Sequence, residues 1–466
     1  MRELPTVTAL IAAYNAEAFI AQALGSALAQ DYPPELLDVL VIDDGSTDAT
    51  AAIVEEHARC RPGRVRLVRQ ANGGNWAATE RAIGAIESDL IAFLDADDAW
   101  PLDKTIRQVE ALTPSMGLLY GDMRLVNAAG ETLEESWLGL IAADGPPSGR
   151  CFGRLLALGT ATSSSILMRT SLAKTLGQIP EGVPVDWWVS LRAAQSGEIG
   201  YLAEPRTLYR FHGNNRSLGS EGAVLRDAHL RRARTQRWFL RRIETGQATT
   251  AELGAAWESF EHNAAEAIRL SGSPFGAPLD ITNDEREKAR RLADEGAEAL
   301  ERGEPDGALM AYLRAAATDP WCDDAREGLA VALAACPGGE ERPGQRPLEG
   351  ARDFVVLAHA DELLAAPWLL EAYAAEMRGV RGVTLALDAT MLDPAAAAEA
   401  LESLARHTSL DDVDVLGLPA PLDELGRARL AAGVHVLYSE RDDHRLARPR
   451  VVPARLDMLR AMVSES

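Results

Sequence analysis

Asp95, Asp97 and Asp98 close the apolar run Ile91-Ala92-Phe93-Leu94, with Ala96 between the first two. The run has the length and composition of a buried strand, so three charges are released together at its end. Holding that many like charges without a partner costs several kcal/mol. A hard cation with oxygen ligands removes that cost. Mg2+ or Mn2+ bridging a diphosphate fits, because these ions take one or two protein carboxylates together with phosphate oxygens. The competing structural reading is that acids often end strands, with Asp98 capping the segment after Trp100-Pro101. A second acidic end, Asp43-Asp44-Gly45-Ser46, follows the apolar run Leu37 to Ile42. In isolation it reads as a turn and helix cap. On neighbouring parallel strands the two ends would face one crevice. One would hold the metal, and the other would accept hydrogen bonds from a nucleobase N–H or a ribose hydroxyl.

The elements around these acids alternate. Residues 7–12, 37–42, 65–68 and 90–94 read as short apolar strands. Helical stretches lie over 16–30, from about Thr47-Asp48 to Cys60, and after the glycine-bearing loop Asn72-Gly73-Gly74-Asn75. Strands alternating with helices predict a parallel, doubly wound α/β sheet, and such sheets bind ligands beyond the carboxyl ends of their strands. Residues 224–270 read as helical throughout. Residues 289–322 match one tetratricopeptide-like repeat, with Leu292, Gly296, Ala308, Tyr312, Ala315 and Pro320 at the expected offsets, and a partial second unit runs to about Cys336. Residues 337–350 are rich in Pro, Gly and charge and read as a linker. Beyond them, apolar runs near 354–358, 383–387, 413–416 and 434–437 predict a second, smaller α/β domain. The expected divisions are 1–223, 224–282, 283–336, 337–350 and 351–466.

Four segments in order closely resemble the motifs of family 2 glycosyltransferases with the GT-A fold: Ala9-Leu10-Ile11-Ala12-Ala13-Tyr14-Asn15, Val41-Ile42-Asp43-Asp44-Gly45-Ser46-Thr47-Asp48, Asn72-x-Gly74, and Phe93-Leu94-Asp95-Ala96-Asp97-Asp98. The likeness continues through Val185-Asp186-Trp187-Trp188, similar to the family's Glu-Asp-Trp stretch, and Tyr209-Arg210-Phe211-His212, similar to its Tyr-Arg-x-His segment. It covers about residues 5–220. It implies a GT-A nucleotide-diphospho-sugar transferase fold and an inverting transfer to a hydroxyl of a glycan, lipid-linked or small-molecule acceptor. Ala12, Tyr14, Asn15, Asp43, Asp44 and Gly74, with the Asp95-Ala96-Asp97 motif, then bind the donor. Asp95 and Asp97 hold the metal, His212 completes its shell or touches the diphosphate, and Asp186 is the general base. The chemistry suits these types: a single displacement needs a base opposite the leaving group, and a cation offsets the diphosphate's growing charge. As an alternative, Asp186 caps the helix that begins beside it. Two departures stand out. Val185 replaces the acid that usually precedes the aspartate, and Thr79-Glu80 occupy a position that often carries Arg-Asn.

Composition narrows the remaining classes. The formal charge of −23 repels polyanions, so no nucleic-acid partner is expected. Four scattered cysteines, Cys60, Cys151, Cys322 and Cys336, form no C-x-x-C pair and read as reduced thiols. No apolar stretch is long enough to span a membrane, and the first residues carry no apolar signal core, which points to a cytoplasmic protein. The stretch 224–243 carries seven arginines against one acid, Asp227. Such a helix can lie peripherally on the inner face of a membrane, although a solvated face paired with the chain's own acids is the stronger expectation. A non-catalytic sugar-nucleotide-binding or scaffold protein is the main alternative, and the intact Asp95-x-Asp97 and Asp186 argue against it. A nucleotidyltransferase would need a basic glycine loop near the first strand. The only lysines, Lys104, Lys174 and Lys288, lie elsewhere.

Overall fold

The computed structural model describes residues 3–142, 145–212, 222–271, 281–336, 354–377, 380, 383–389, 394–405, 414–418, 436–439 and 450–451. Its contacts divide into two units, residues 1–215 with 226–341, and residues 216–225 with 342–466.

The first unit is built on a mixed sheet. Strands β1 (Val7–Ala13), β2 (Leu37–Asp43), β3 (Val65–Arg69) and β4 (Leu90–Phe93) are parallel in the order β3-β2-β1-β4. Ala13 faces Asp43 in register, which brings the Tyr14-Asn15 turn beside the Asp43-Asp44 end. This half follows the sequence expectation because β1, β2 and β4 are largely apolar and buried, while β3 is the half-exposed edge strand. The sheet does not remain parallel. Beyond β4 it continues through β7 (Leu167–Arg169), β5 (Met116–Val126) and β6 (Thr132–Glu134), each antiparallel to its predecessor, while β8 (Glu198–Arg210) runs parallel to β5. The parallel reading of the first hundred residues holds for β1 to β4, and the antiparallel half lies beyond them. Gly117, Gly121, Asp122 and Pro205 break the apolar pattern in β5 and β8, and pairing rather than periodicity makes these segments strands.

Helices cover this sheet and extend from it. Residues 16–30 contribute the shorter helix Ile20–Leu28. The stretch 224–270 is two helices, Gly222–Leu240 and Thr250–Ser271. They are separated by a turn in which Gly246 has φ +84°, a conformation that a helix cannot continue through. The second of them lies against the helix Phe152–Ala157 so closely that a Cβ on Gly153 would come within 2.6 Å of Ala248 and Glu252. Asn283–Glu301, Pro305–Thr318 and Asp323–Ala335 follow as three packed helices. The Tyr312 ring fills the space over Gly296 and Gly328, where a Cβ would sit 2.9 and 2.1 Å from it.

Among its described residues the second unit forms a five-stranded, all-parallel sheet. Its strands are β9 (Phe354–His359), β10 (Val383–Asp388), β11 (Asp414–Leu418), β12 (Val436–Tyr438) and β13 (Arg450–Val451), in the order β11-β10-β9-β12-β13. The linker expected at 337–350 lies outside the described residues. All four cysteines are free.

Candidate active site

The loops after β1 and β2 are tied to each other. Asn15 adopts φ +49°, a left-handed conformation that asparagine tolerates. Its N–H donates to Ser46 Oγ (3.0 Å), and its Oδ1 accepts from Thr47 N–H (2.9 Å). Glu17 N–H donates to Asp48, and Ala49 N–H returns a bond to Glu17. Asp48 also accepts from Thr50 N–H, and these hydrogen bonds hold its carboxyl below the usual range against burial, the largest single influence, which pulls the other way. The helix here starts at Thr50, with Ala49 rather than Thr47 or Asp48 as its cap residue. The result is a fixed rim with Tyr14 exposed upon it.

The two acids that end β2 are engaged differently. Asp43 is fully buried and accepts from Ser46 N–H (3.0 Å) and Arg69 Nε (2.9 Å). Asp44 uses both oxygens on the glycine loop, accepting from Gln70 Nε2 (2.8 Å), Gly73 N–H (2.9 Å) and Gly74 N–H (2.8 Å). Gly74 has φ +88°, and a Cβ there would meet the Trp76 indole at 2.9 Å. The loop's shape therefore depends on both the glycine and the carboxylate. On the helix Asn75–Ala85 that follows the loop, Glu80 accepts from the Ile179 N–H and tethers the chain segment that leads to Asp186. A cavity of about 300 Å3 lies there, with Glu80, Lys174, Gln178 and Trp188 among its walls.

At the end of β4 the turn Asp95 to Asp98 is closed by an Asp98 N–H to Asp95 C=O bond (3.2 Å). Asp98 is buried and does not cap the following segment. Its carboxylate accepts from Ser164 Oγ (2.5 Å) and Arg210 N–H (2.8 Å). Burial first, and then the charges of Asp97 and Asp95, push its carboxyl well above the usual range. Asp95 is raised in the same way by burial, then by Asp97 and Asp186. Asp97 meets His212 Nε2 at 3.0 Å. The His212 imidazole stacks on Phe19 (5.0 Å between centroids), and the Arg210 guanidinium lies over the same ring at 5.0 Å. Arg210 Nε donates to the Asp97 carbonyl (2.9 Å), and its other nitrogens bind the Asn127 and Ala128 carbonyls and Gln22.

Asp186 is the second residue of the helix Val185–Ser196, whose cap position is Pro184. It is therefore inside the helix, and its Oδ1 accepts from Trp187 N–H at 2.8 Å. Burial raises its carboxyl, opposed by N–H donors from Trp187 and Ser163 and by the charge of Arg232. Trp187 fixes this end by donating to the Leu155 carbonyl (2.7 Å) and packing flat against Gly159. The Tyr209 phenol is pushed well above its ordinary value by burial and then by Asp98, Asp97, Asp95 and Asp186, which places it among all four acids.

Among the described residues no three His, Cys, Asp or Glu side chains form a group able to hold an ion unaided. Crowded carboxylates driven upward by one another still fit a cation that draws its remaining ligands from phosphate and water. The sequence reading missed Ser163, Ser164 and the structural part played by Arg210. The run Thr160-Ala161-Thr162-Ser163-Ser164-Ser165, entering the apolar Ile166-Leu167-Met168, was the available signal, since buried hydroxyls must find partners. The arginine-rich helix also has internal partners. Arg237 and Arg241 both reach Glu285 (3.1 and 2.7 Å), Arg237 also binds the Ala317 and Thr318 carbonyls, and Arg242 covers the Trp238 ring. These contacts agree with the expectation of pairing within the chain. No described helix is long and apolar enough to cross a membrane.

Residues 8–135 match the glycosyl transferase family 2 model. The chain carries a glycosyltransferase domain. Over 231 residues it is 26% identical to an uncharacterized glycosyltransferase of Nostoc sp., covering 47% of this chain and 68% of that relative. An uncharacterized protein of Mycobacterium tuberculosis is 32% identical over 211 residues, and the chain spans 57% of its length. Succinoglycan biosynthesis protein ExoU of Rhizobium meliloti is 46% identical over 93 residues, 20% of this chain and 26% of that one. Among solved structures, TarS 1–349 of S. aureus in complex with UDP-GlcNAc aligns at a TM-score of 0.43 and 19% identity, covering 74% of this chain and 95% of that one. The fold class is an α/β glycosyltransferase body followed by helices and a second small parallel sheet.

Proposed function

We propose that the protein moves a sugar from a nucleotide-diphospho-sugar to an acceptor hydroxyl with inversion, using Asp186 as general base. The observation that carries this reading is the meeting of Asp186 with the β4 acids. Its charge is one of those that raise Asp95, although it arrives on a separate helix. A base on one side and a diphosphate-binding acidic end on the other is what a single displacement requires. Burial makes Asp186 a stronger proton acceptor than an exposed aspartate, and the Trp187 N–H on Oδ1 orients it. Asn15, Asp43 and the loop pinned by Asp44 would hold the nucleotide. Asp95 and Asp97 would hold Mg2+ or Mn2+, with His212 beside Asp97. When bound, the ion offsets charge on the departing diphosphate. The acceptor is a glycan, a lipid-linked sugar or a small molecule. The divisions at 223, 282, 336 and 350 are likewise our reading of the chain.

Asp97→Ala tests the reading. Its expected effect is loss of transfer and of metal-dependent nucleoside diphosphate binding, with an unchanged circular dichroism spectrum. Wild-type rates in excess chelator would refute the metal's part.

A further inference from the structure

The 3-10 turn Ser163–Ser165 enters β7 beneath the acids, and all three serines are buried. Ser164 Oγ accepts from Asp95 N–H (2.9 Å) and donates to Asp98 Oδ2 (2.5 Å), so one hydroxyl holds both ends of the acidic turn. The Ser164 carbonyl accepts from Trp100 Nε1 (2.8 Å) and Thr207 Oγ1 (3.1 Å), which fixes the serine itself to two other parts of the sheet. Ser165 differs, because its hydroxyl donates only within the turn, to the Thr162 carbonyl (2.8 Å).

We propose that Ser164 is a positioning residue that holds the acidic turn, and with it the diphosphate-side carboxylates Asp95 and Asp97, in the geometry that the metal and diphosphate need. This rests on the function proposed above. Ser164 need not touch substrate. A rigid link of this kind matters because a displacement of about 1 Å in reacting groups costs on the order of 10²-fold in rate. Hydrogen bonds to ionised groups are also the ones whose loss is felt most.

The test uses the full chain, with Mn2+ and UDP, GDP and dTDP as probes in titration calorimetry. Ser164→Ala should weaken the Mn2+-dependent binding of whichever diphosphate the wild type takes by about tenfold, the weight of one charge-assisted hydrogen bond. Asp98→Asn keeps the size of the acid and alters the other end of the same bond, so it should weaken binding to a similar degree. It also covers the case in which Ser164→Ala does not fold. Ser164→Thr retains the hydroxyl and should restore affinity. Ser165→Ala removes a hydroxyl from the same turn and should leave both affinity and Mn2+ dependence unchanged. Wild-type affinity in Ser164→Ala and Asp98→Asn, or an equal loss in Ser165→Ala, would overturn the proposal while leaving the function standing. Absence of Mn2+-dependent binding in the wild type would overturn both.

Discussion

Lys104 offers a quantitative check on the packing beneath the acidic strand end. It is 1% exposed, its Nζ donates to Gln108 Oε1 (2.8 Å), and its ammonium lies 4.2 Å from the centre of the Trp100 ring. Gln108 in turn donates to the Ser165 carbonyl (2.7 Å) and Trp100 to Ser164, so the lysine sits directly under the turn that holds the acids. Burial pulls its amine from 10.5 to about 7. Between those values the folded chain holds the amine neutral while the unfolded chain holds it charged. The unfolded state then binds one more proton, and stability rises with pH across this window. The penalty is complete below about pH 7 and gone above about 10.5. At ~1.4 kcal/mol per unit the ceiling is ~5 kcal/mol. Contact with the Trp100 face returns on the order of 2 kcal/mol to the charged form, leaving ~3 kcal/mol. Lys104→Met keeps the length and removes the charge, so it should be more stable than wild type by ~3 kcal/mol at pH 6.5, with the gap closing by pH 10. Urea unfolding of both proteins at matched pH measures this difference, and groups common to both cancel. A gap that is constant from pH 6.5 to 10, or a destabilised variant at pH 6.5, would refute the argument.

Asp44→Ala should free the Gly73 and Gly74 N–H groups and lower donor affinity by ~10-fold or more, read by titration calorimetry, because the loop loses its anchor. Limited proteolysis of the full chain should cut first within 337–350 and leave two stable fragments; early cleavage confined to 5–220 would count against that boundary.

The parallel half of the first sheet is legible in the sequence because its strands are apolar runs ended by Asp43 and by Asp95 to Asp98. The antiparallel half is not, because Gly121, Asp122 and Pro205 interrupt the pattern, and partners on β7 and β5 decide the outcome. The same division runs through the site. That acids stand at strand ends can be read directly. That Asp44 serves the glycine loop, while Asp98 is held by Ser164 and Arg210, depends on contacts made only when distant segments meet. The arginines of Gly222–Leu240 likewise cannot be assigned by composition, since Glu285 and two carbonyls near it receive Arg237 and Arg241 across a long stretch of chain.

The central claim is that Asp186 accepts the proton of the incoming hydroxyl. Asn at this position keeps the size and an oxygen for the Trp187 N–H, but it cannot take a proton. Donor binding should survive in Asp186→Asn, since those contacts belong to Asp43, Asp95 and Asp97. Turnover should fall by ~10²–10⁴-fold, the usual contribution of a positioned general base. The measurement is product formation from an α-linked sugar nucleotide by wild type and Asp186→Asn, with the anomeric configuration of the product read by NMR. The account predicts a β-linked product from the wild type and the stated loss in the variant. Near-normal turnover in Asp186→Asn, or an α-linked product, would contradict it.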